Sequence, residues 1–352
     1  MSGESQDFAI STKKALSSWF RILLFILFIL IVWGAIVRLT GSGLSIPEWP
    51  IVNGTLLPPF SEDDWETVYK RYYLDVFHIT DLTGADLISM SKFKTMFAIE
   101  YTHRFIAAVS GIIFLVLLWE VFRNRRARKN VGGFMIAALL ALILQVVLGG
   151  IVVKEELKAD LVAAHLAVAY LFFAFVLWSH LRLSKSEALA KISFAPNRLT
   201  LFSIVAAIAL FLQIISGGLM AGSSAGHILN TFPKMGKVWI PGAADLFSEH
   251  YGGFWQNLTR NPILIQLIHR WWLLIVIIAI GLIHANRKGI QLSKRGRFAI
   301  TSGGVLLVVQ LLFGVGNLMM KVPVYMSASH SALALLLFWS LVTCWFEAKY
   351  QG

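Results

Sequence analysis

The stretch Ile99-Glu100-Tyr101-Thr102-His103-Arg104 returns 166 residues later as Ile265-Gln266-Leu267-Ile268-His269-Arg270. Two more stretches keep nearly the same offset: Gln145 at the head of QVVLGGIVV falls on Gln310 in QLLFGVGNL, and His165 in AAHLAVA falls on His330 in ASHSALA. The first apolar run needs a shift of 183, which sets Gly34 on Gly217 and GSGLSIPEWP (41–50) opposite SAGHILNTFP (224–233). A longer first loop accounts for the larger shift. His103 and His165 are 62 residues apart, His269 and His330 are 61 apart, and each opens a long apolar run. The chain therefore reads as two copies of one unit that carries two histidines.

Those runs are too long and too apolar for a soluble core. Of 352 residues, 57% are hydrophobic and 14% charged, with a mean hydropathy of +0.71. Eight stretches reach the roughly 20 apolar residues that a bilayer core demands: about 20–39, 98–122, 132–153, 161–181, 199–221, 262–284, 298–319 and 326–346. Four spans per unit is an even number, so the two units share one topology and are related by an axis along the membrane normal. The expected fold is an all-α polytopic membrane protein, with eight transmembrane helices as two tandem four-helix bundles in a parallel pseudo-twofold repeat. Its expected parts are an N-terminus (1–19), a first half (20–181) with a long outer loop (40–97), a linker (182–198), a second half (199–346) with an outer loop at 222–261, and a tail (347–352).

The net charge of +12 is gathered on one side and does not form a nucleic-acid-binding face. Lys13, Lys14 and Arg21 precede the first span; Arg123, Arg125, Arg126, Arg128 and Lys129 follow the second. Arg182, Lys185, Lys191 and Arg198 follow the fourth, and Arg287, Lys288, Lys294, Arg295 and Arg297 follow the sixth. The positive-inside rule makes those loops and both termini cytoplasmic. The first run is too long for a cleaved signal and has a counterpart later in the chain, and the short N-terminus carries Glu4 and Asp7, unlike a transit peptide. A bacterial inner membrane is the expected location. Cys344 is the sole cysteine, so no internal disulfide forms.

The four histidines fall at the outer ends of spans two, four, six and eight. An ionisable side chain in a span is a functional candidate by default, and haem iron takes axial imidazoles. Facing helices of a four-helix bundle bring two imidazoles to opposite faces of one macrocycle. The reading is two haem sites, His103 with His165 and His269 with His330. Gly149, Gly150, Gly217, Gly218, Gly314 and Gly316 on neighbouring spans allow close approach of a helix or a flat ring. The units differ where Glu100 is answered by Gln266. Glu100 shares a helix face with His103 and can exchange protons, whereas Gln266 cannot; pairing with Arg104 is its structural alternative. Arg104 and Arg270 suit a haem propionate or snorkel to the interface. His78, His227 and His250 lie in outer loops. His180 and His284 each come 15 residues after a ligand candidate, about 22 Å deeper, where a second haem layer is the alternative to a packing role. In the first outer loop, Ser61 and Asp64 form a capping-box pattern ahead of Trp65, Val68, Tyr69 and Tyr72 at helical spacing. That helix either lies on the membrane surface or packs on its own domain.

EYTHR, IHRWW, AAHLA and ASHSA at these spacings, with GSGLSIPEW after the first span, resemble the haem A synthase family over about residues 20–346. The resemblance implies an oxidoreductase that converts the C8 methyl of haem O to a formyl group, giving haem A for cytochrome oxidase assembly. It implies substrate haem between His103 and His165, Glu100 as the catalytic acidic residue, and a haem b cofactor on His269 and His330. Ile46 and Val52 stand where part of the family has a cysteine pair, so this chain is similar to the branch that lacks it. If imidazoles cap both faces of the substrate iron, water supplies the oxygen, with Glu100 as base. Haem O synthase and cytochrome oxidase assembly factors are the implied partners, and a homo-oligomer is left open. The rival readings are a dihaem electron carrier, which leaves its haems unmodified, and a duplicated transporter, which binds none. A prenyltransferase is disfavoured because Asp63-Asp64 stands alone.

Overall fold

The computed structural model describes residues 3–52, 54–82, 87–185 and 197–350, with side chains from residue 14 onward. The expected linker around Lys191 (186–196) and the last two residues of the tail lie outside the described residues. Eleven α-helices and no extended strand occur among the described residues: α1 (Gly3–Leu39), α2 (Glu62–Phe77), α3 (Met90–Arg123), α4 (Arg125–Lys154), α5 (Ala159–Ser184), α6 (Arg198–Gly222), α7 (Ala243–Leu246), α8 (Phe254–Arg260), α9 (Pro262–Ala285), α10 (Lys294–Met319) and α11 (Val324–Lys349). Eight of them, α1, α3, α4, α5, α6, α9, α10 and α11, are long and apolar enough to cross a membrane. They correspond to the eight expected runs and extend past them, because polar caps lie just outside the apolar stretches. Asn124 accepts from the N–H groups of Arg126 and Ala127 to start α4, Asn261 does the same for α9 with Pro262 in its first turn, and Ser89, Asn197 and Ser293 cap α3, α6 and α10. Such caps satisfy backbone donors that apolar surroundings leave orphaned.

The central layer is made by α1, α5, α6 and α11, whose residues dominate the largest buried cluster. Rings lock α5 to α11: Tyr170 meets Phe338 at 5.2 Å, Phe173 meets Trp339 at 5.4 Å and Trp178 meets Trp345 at 4.7 Å. At one end of that layer Glu347, only 1% exposed, accepts from Lys185 at 2.8 Å, Ser293 at 2.7 Å and Arg295 at 2.6 Å, tying α5 and α10 to α11. At the other end Arg38 donates to the Gly222 carbonyl at 3.0 Å, linking α1 to α6. There Gly222 lets α6 reach α5; a Cβ would lie 2.5 Å from Ala159 Cα.

The loop helix α2 begins with the expected capping box, Ser61 Oγ accepting from Asp64 N–H and Asp64 accepting from Ser61 N–H. These donors hold the Asp64 carboxyl below its ordinary value. Of the two expected placements, the helix takes the one on its own domain. Val68, Tyr72 and Tyr73 pack against Phe93 and Phe97 of α3 and against Ile46 and Val52 of the preceding loop. Tyr69 donates to the Ile88 carbonyl at 2.6 Å, and burial with its neighbour Tyr73 pushes its phenol up to about 12. This docking explains why α3 starts at Met90, well before the apolar run.

Ser61→Ala removes one half of the reciprocal cap and should weaken the start of α2 by about 1 kcal/mol. Faster amide exchange at Asp64 with unchanged exchange in α3 is the expected result. A fall in pH through the lowered Asp64 pKa should reproduce the effect, since a depressed carboxyl stabilises only while ionised.

Candidate functional site

Each of the four span histidines lies on a glycine of the adjacent helix. A Cβ at Gly34 (α1) would stand 3.1 Å from His103 Cε1, one at Gly149 (α4) 3.4 Å from His165 Cε1, one at Gly217 (α6) 3.3 Å from His269 Cε1 and one at Gly314 (α10) 2.9 Å from His330 Cε1. The imidazoles are thus laid flat against backbone. Each keeps an accessible part although protein surrounds it on most sides. His103 and His165 lie within electrostatic reach of one another, and so do His269 and His330. The structure therefore brings together the two pairs read from spacing.

Their nitrogens are incompletely satisfied. His103 Nδ1, His165 Nδ1 and His330 Nδ1 are buried without a hydrogen-bond partner, as are Gln145 Oε1, Gln213 Oε1 and Gln310 Oε1. A buried unpaired polar atom costs on the order of 1–3 kcal/mol, so this concentration marks a place kept for something other than packing. Gln145 Nε2 meets His165 Nε2 at 3.0 Å, and Gln310 Nε2 meets His330 Nε2 at 3.2 Å. No group of three or more His, Cys, Asp or Glu gathers as a metal cage among the described residues. Two imidazoles per site with no further protein donor are what a metal with its own equatorial ligands needs, as in haem.

The second pair is braced more fully than the first. Ser216 donates its hydroxyl to the Gln213 carbonyl at 2.7 Å, so its lone pair accepts from His269 Nδ1 at 2.8 Å. Gln213 Nε2 also approaches the ring, 3.2 Å from Nδ1 and 3.5 Å from Nε2. With its proton on Nδ1 toward Ser216, the ring is oriented in the way an outer hydrogen bond orients a metal-binding imidazole. Gln213 also donates to the His269 carbonyl at 2.8 Å. At the position matching Ser216 the first half has Trp33, whose indole donates to the Ile99 carbonyl at 2.9 Å and leaves His103 Nδ1 unpartnered.

Glu100 is 3% exposed and anchors the loop above the first pair. Its Oε2 accepts from the Ser45 hydroxyl at 2.8 Å and the Ile46 N–H at 3.0 Å, while Oε1 takes Arg104 at 2.7 Å. Arg104 in turn donates to the carbonyls of Ile46 and Glu48, both at 2.6 Å. The loop then lays Trp49 over Gly150, where a Cβ would come within 3.1 Å of the ring, beside the Gly149 that supports His165. Gln266, fully buried, plays the same part with reversed polarity: its amide donates to the carbonyls of Ala225 at 2.9 Å and Ile228 at 2.8 Å and accepts from Arg270 at 3.0 Å. Arg270 donates to the carbonyls of Leu229, Thr231 and Lys234. The NH1 and NH2 groups of both arginines thus serve loop carbonyls and the residue at 100 or 266, while Arg270 Nε is buried without a partner.

The matched stretches 41–55 and 224–238 share a backbone. Each opens on a left-handed residue (Gly41, Ser224), makes one 3-10 turn (Ser42–Leu44, Ala225–His227) and ends in an isolated antiparallel bridge (Val52 with Thr55, Met235 with Val238). Sequence reasoning passed over Trp49, Gln213 and Ser216, and used Gln145 and Gln310 only as alignment markers. A glutamine one helix away from His165, His269 and His330 was the available signal. Of the deeper histidines, His180 lies 6.1 Å from the Phe20 ring and His284 rests on Gly304 and bonds to the Ile300 backbone. No contact joins them among the described residues.

The fold and site define a helical, multi-spanning membrane protein that presents paired imidazoles between its spans. Residues 17–342 match the model of the family described as cytochrome oxidase assembly protein, and the chain belongs to that family. Relatives named heme A synthase include proteins of Nitrosospira multiformis, 30% identical over 95% of this chain and 92% of its own, and of Rhizorhabdus wittichii, 31% identical over 94% and 92%. One from Rhizobium rhizogenes is 32% identical over 95% of this chain and 89% of its own.

Glu100→Ala strands Arg104 and frees the loop, and should cost roughly 3–5 kcal/mol, the range for one lost partner of a buried ion pair. Protease cleavage appearing within 41–50 while α9 and α10 stay protected is the expected readout.

Proposed function

We propose that the chain is a haem A synthase, oxidising the C8 methyl of haem O to a formyl group. The observation that carries the reading is the set of four half-buried imidazoles, each set against a glycine, with an unpartnered Nδ1 on three of them and unpartnered glutamine oxygens nearby. The family and the name shared by its relatives agree with it. His103 and His165 would bind the substrate haem, and His269 and His330 a resident haem b. The Ser216 bond to His269 supports this division, because an oriented, more basic imidazole suits a permanent ligand, while an unbraced His103 suits a haem that must leave. The resident haem would supply a one-electron relay when bound. The two units, 20–181 and 199–346, would be parallel repeats with both termini cytoplasmic and the haem sites toward the outer face of a bacterial inner membrane.

Methyl to formyl is two successive two-electron oxidations, each releasing two protons, with water supplying the oxygen and an external one-electron acceptor taking the electrons in turn. Glu100 is the proton-accepting side chain on the same helix face as His103 and is proposed as the acid–base residue. Its second duty is to hold the 41–50 loop over the site and keep bulk water out. Arg104 and Arg270 act on haem through the loops they brace. Haem O is the substrate partner, with haem O synthase and oxidase assembly factors as the proteins that deliver and collect.

Mass analysis of haems extracted from membranes containing this protein and a haem O source tests the reading. The expected products are the hydroxymethyl and formyl derivatives. Glu100→Gln should retain haem and lose conversion by about 100-fold or more, the range for a general acid–base group. Two unmodified haems per chain would instead establish the electron carrier. Gly314→Ala should push His330 aside and strip the resident haem, seen as loss of its bis-imidazole absorption. Gly281→Ala, where a Cβ meets nothing within 4 Å, should leave that spectrum unchanged.

A further inference from the structure

An apolar groove of about 190 Å³ runs along the seam between α1 and α3, lined by Ile26, Ile29, Phe105, Ile106 and Val109. Along the helices it starts about one turn from His103. Ile106 follows His103 by three residues and so lies on its face of α3, about one turn further along, and Ile29 lies five residues before the Gly34 that supports His103. Ile29 and Phe105 are exposed, so the groove opens sideways, toward lipid.

The matching seam of the second half is closed. By the offsets that superpose the histidine motifs, Ile26 corresponds to Ala209 and Ile106 to Trp272. In the structure these two residues meet: the Trp272 indole crosses the seam between α9 and α6 and donates to the Ala209 carbonyl at 2.9 Å. A small residue on one helix and a bonded indole on the other therefore fill what two isoleucines leave open.

Resting on the haem A synthase reading, we propose that the α1–α3 groove receives the isoprenoid side chain of the substrate haem, and that Trp272 bars that chain from the second site. Haem O and haem b share a macrocycle, iron and propionates, so paired imidazoles alone do not tell them apart. They differ in one long apolar substituent. Lipid tails are as apolar as the groove lining, so transfer from water contributes no preference; shape and close packing do. An open seam admits the chain with its far end in the bilayer, and an occupied seam imposes a clash, which is how a site rejects a near-identical competitor. Ile106 and Trp272 are then specificity-determining positions, separate from the ligands.

The test uses full-length protein co-expressed with a haem O source, purified, with its haems extracted and identified by mass. Wild type should carry haem b together with haem bearing the isoprenoid chain. Ile106→Trp should lower the isoprenoid haem by about tenfold or more relative to haem b, whose retention shows that the fold and second site are intact. Trp272→Ile should do the reverse, with isoprenoid haem displacing haem b. If Ile106→Trp fails to accumulate, the ratio in Trp272→Ile decides, and no change there overturns the proposal. Wild-type ratios in both variants would mean that the groove holds lipid acyl chains only, overturning the proposal while leaving the synthase reading standing. Wild-type protein that neither binds isoprenoid haem nor yields haem A would remove the synthase reading and this inference with it.

Discussion

The Arg104 guanidinium is the joint on which the first site depends. It is shared between Glu100 on its own helix and the carbonyls of Ile46 and Glu48 in the loop. A loop emerging from a bilayer brings backbone groups that water no longer serves, and each must find a partner in the protein. One planar, permanently charged group with several donors meets that need for two carbonyls at once. Because Arg104 adjoins His103 in sequence, fixing the loop also fixes the roof over the imidazole. Arg270 repeats the device beside His269, and the change from carboxylate to amide at 100 and 266 follows from what each loop offers: N–H and hydroxyl donors from Ser45 and Ile46, carbonyls from Ala225 and Ile228. The Glu-to-Gln difference is therefore a structural complement as well as a difference in proton chemistry.

Much of this was legible in the sequence because a membrane restricts the choices. Runs of about 20 apolar residues have essentially one way to satisfy their backbone, so eight helices and their order followed directly. The pairing of His103 with His165 and of His269 with His330 followed from spacing, and the capping box at Ser61 followed from a local pattern. What was not legible depends on side-chain direction. The sequence places Arg104 and Arg270 beside the histidines, but only the folded loops show that their NH1 and NH2 groups also bind loop carbonyls. Trp49 lies far from Gly150 in sequence, and its cover over α4 arises from a loop path that no periodicity encodes. The position of α2 was undecided because an amphipathic face looks alike to lipid and to a neighbouring helix; Phe93 and Phe97, beyond the end of the expected span, resolve it.

The two histidine pairs share one frame, and the proposed function requires them to diverge. The frame is the glycine-supported imidazole, common to all four positions. Besides the change at 100 and 266, divergence lies one layer out: Ser216 against Trp33 at the imidazole Nδ1, and Trp272 against Ile106 at the seam. In the first half the indole of Trp33 sits beside the histidine and the seam below is open. In the second half a serine braces the histidine and the indole of Trp272 fills the seam. A site built to keep its haem gains from a fixed tautomer and a closed wall, whereas a site built to exchange haem gains from an unbraced ligand and a lateral opening. The two asymmetries arise from different residues on different helices, yet both fit the proposed retention in the second half and exchange in the first.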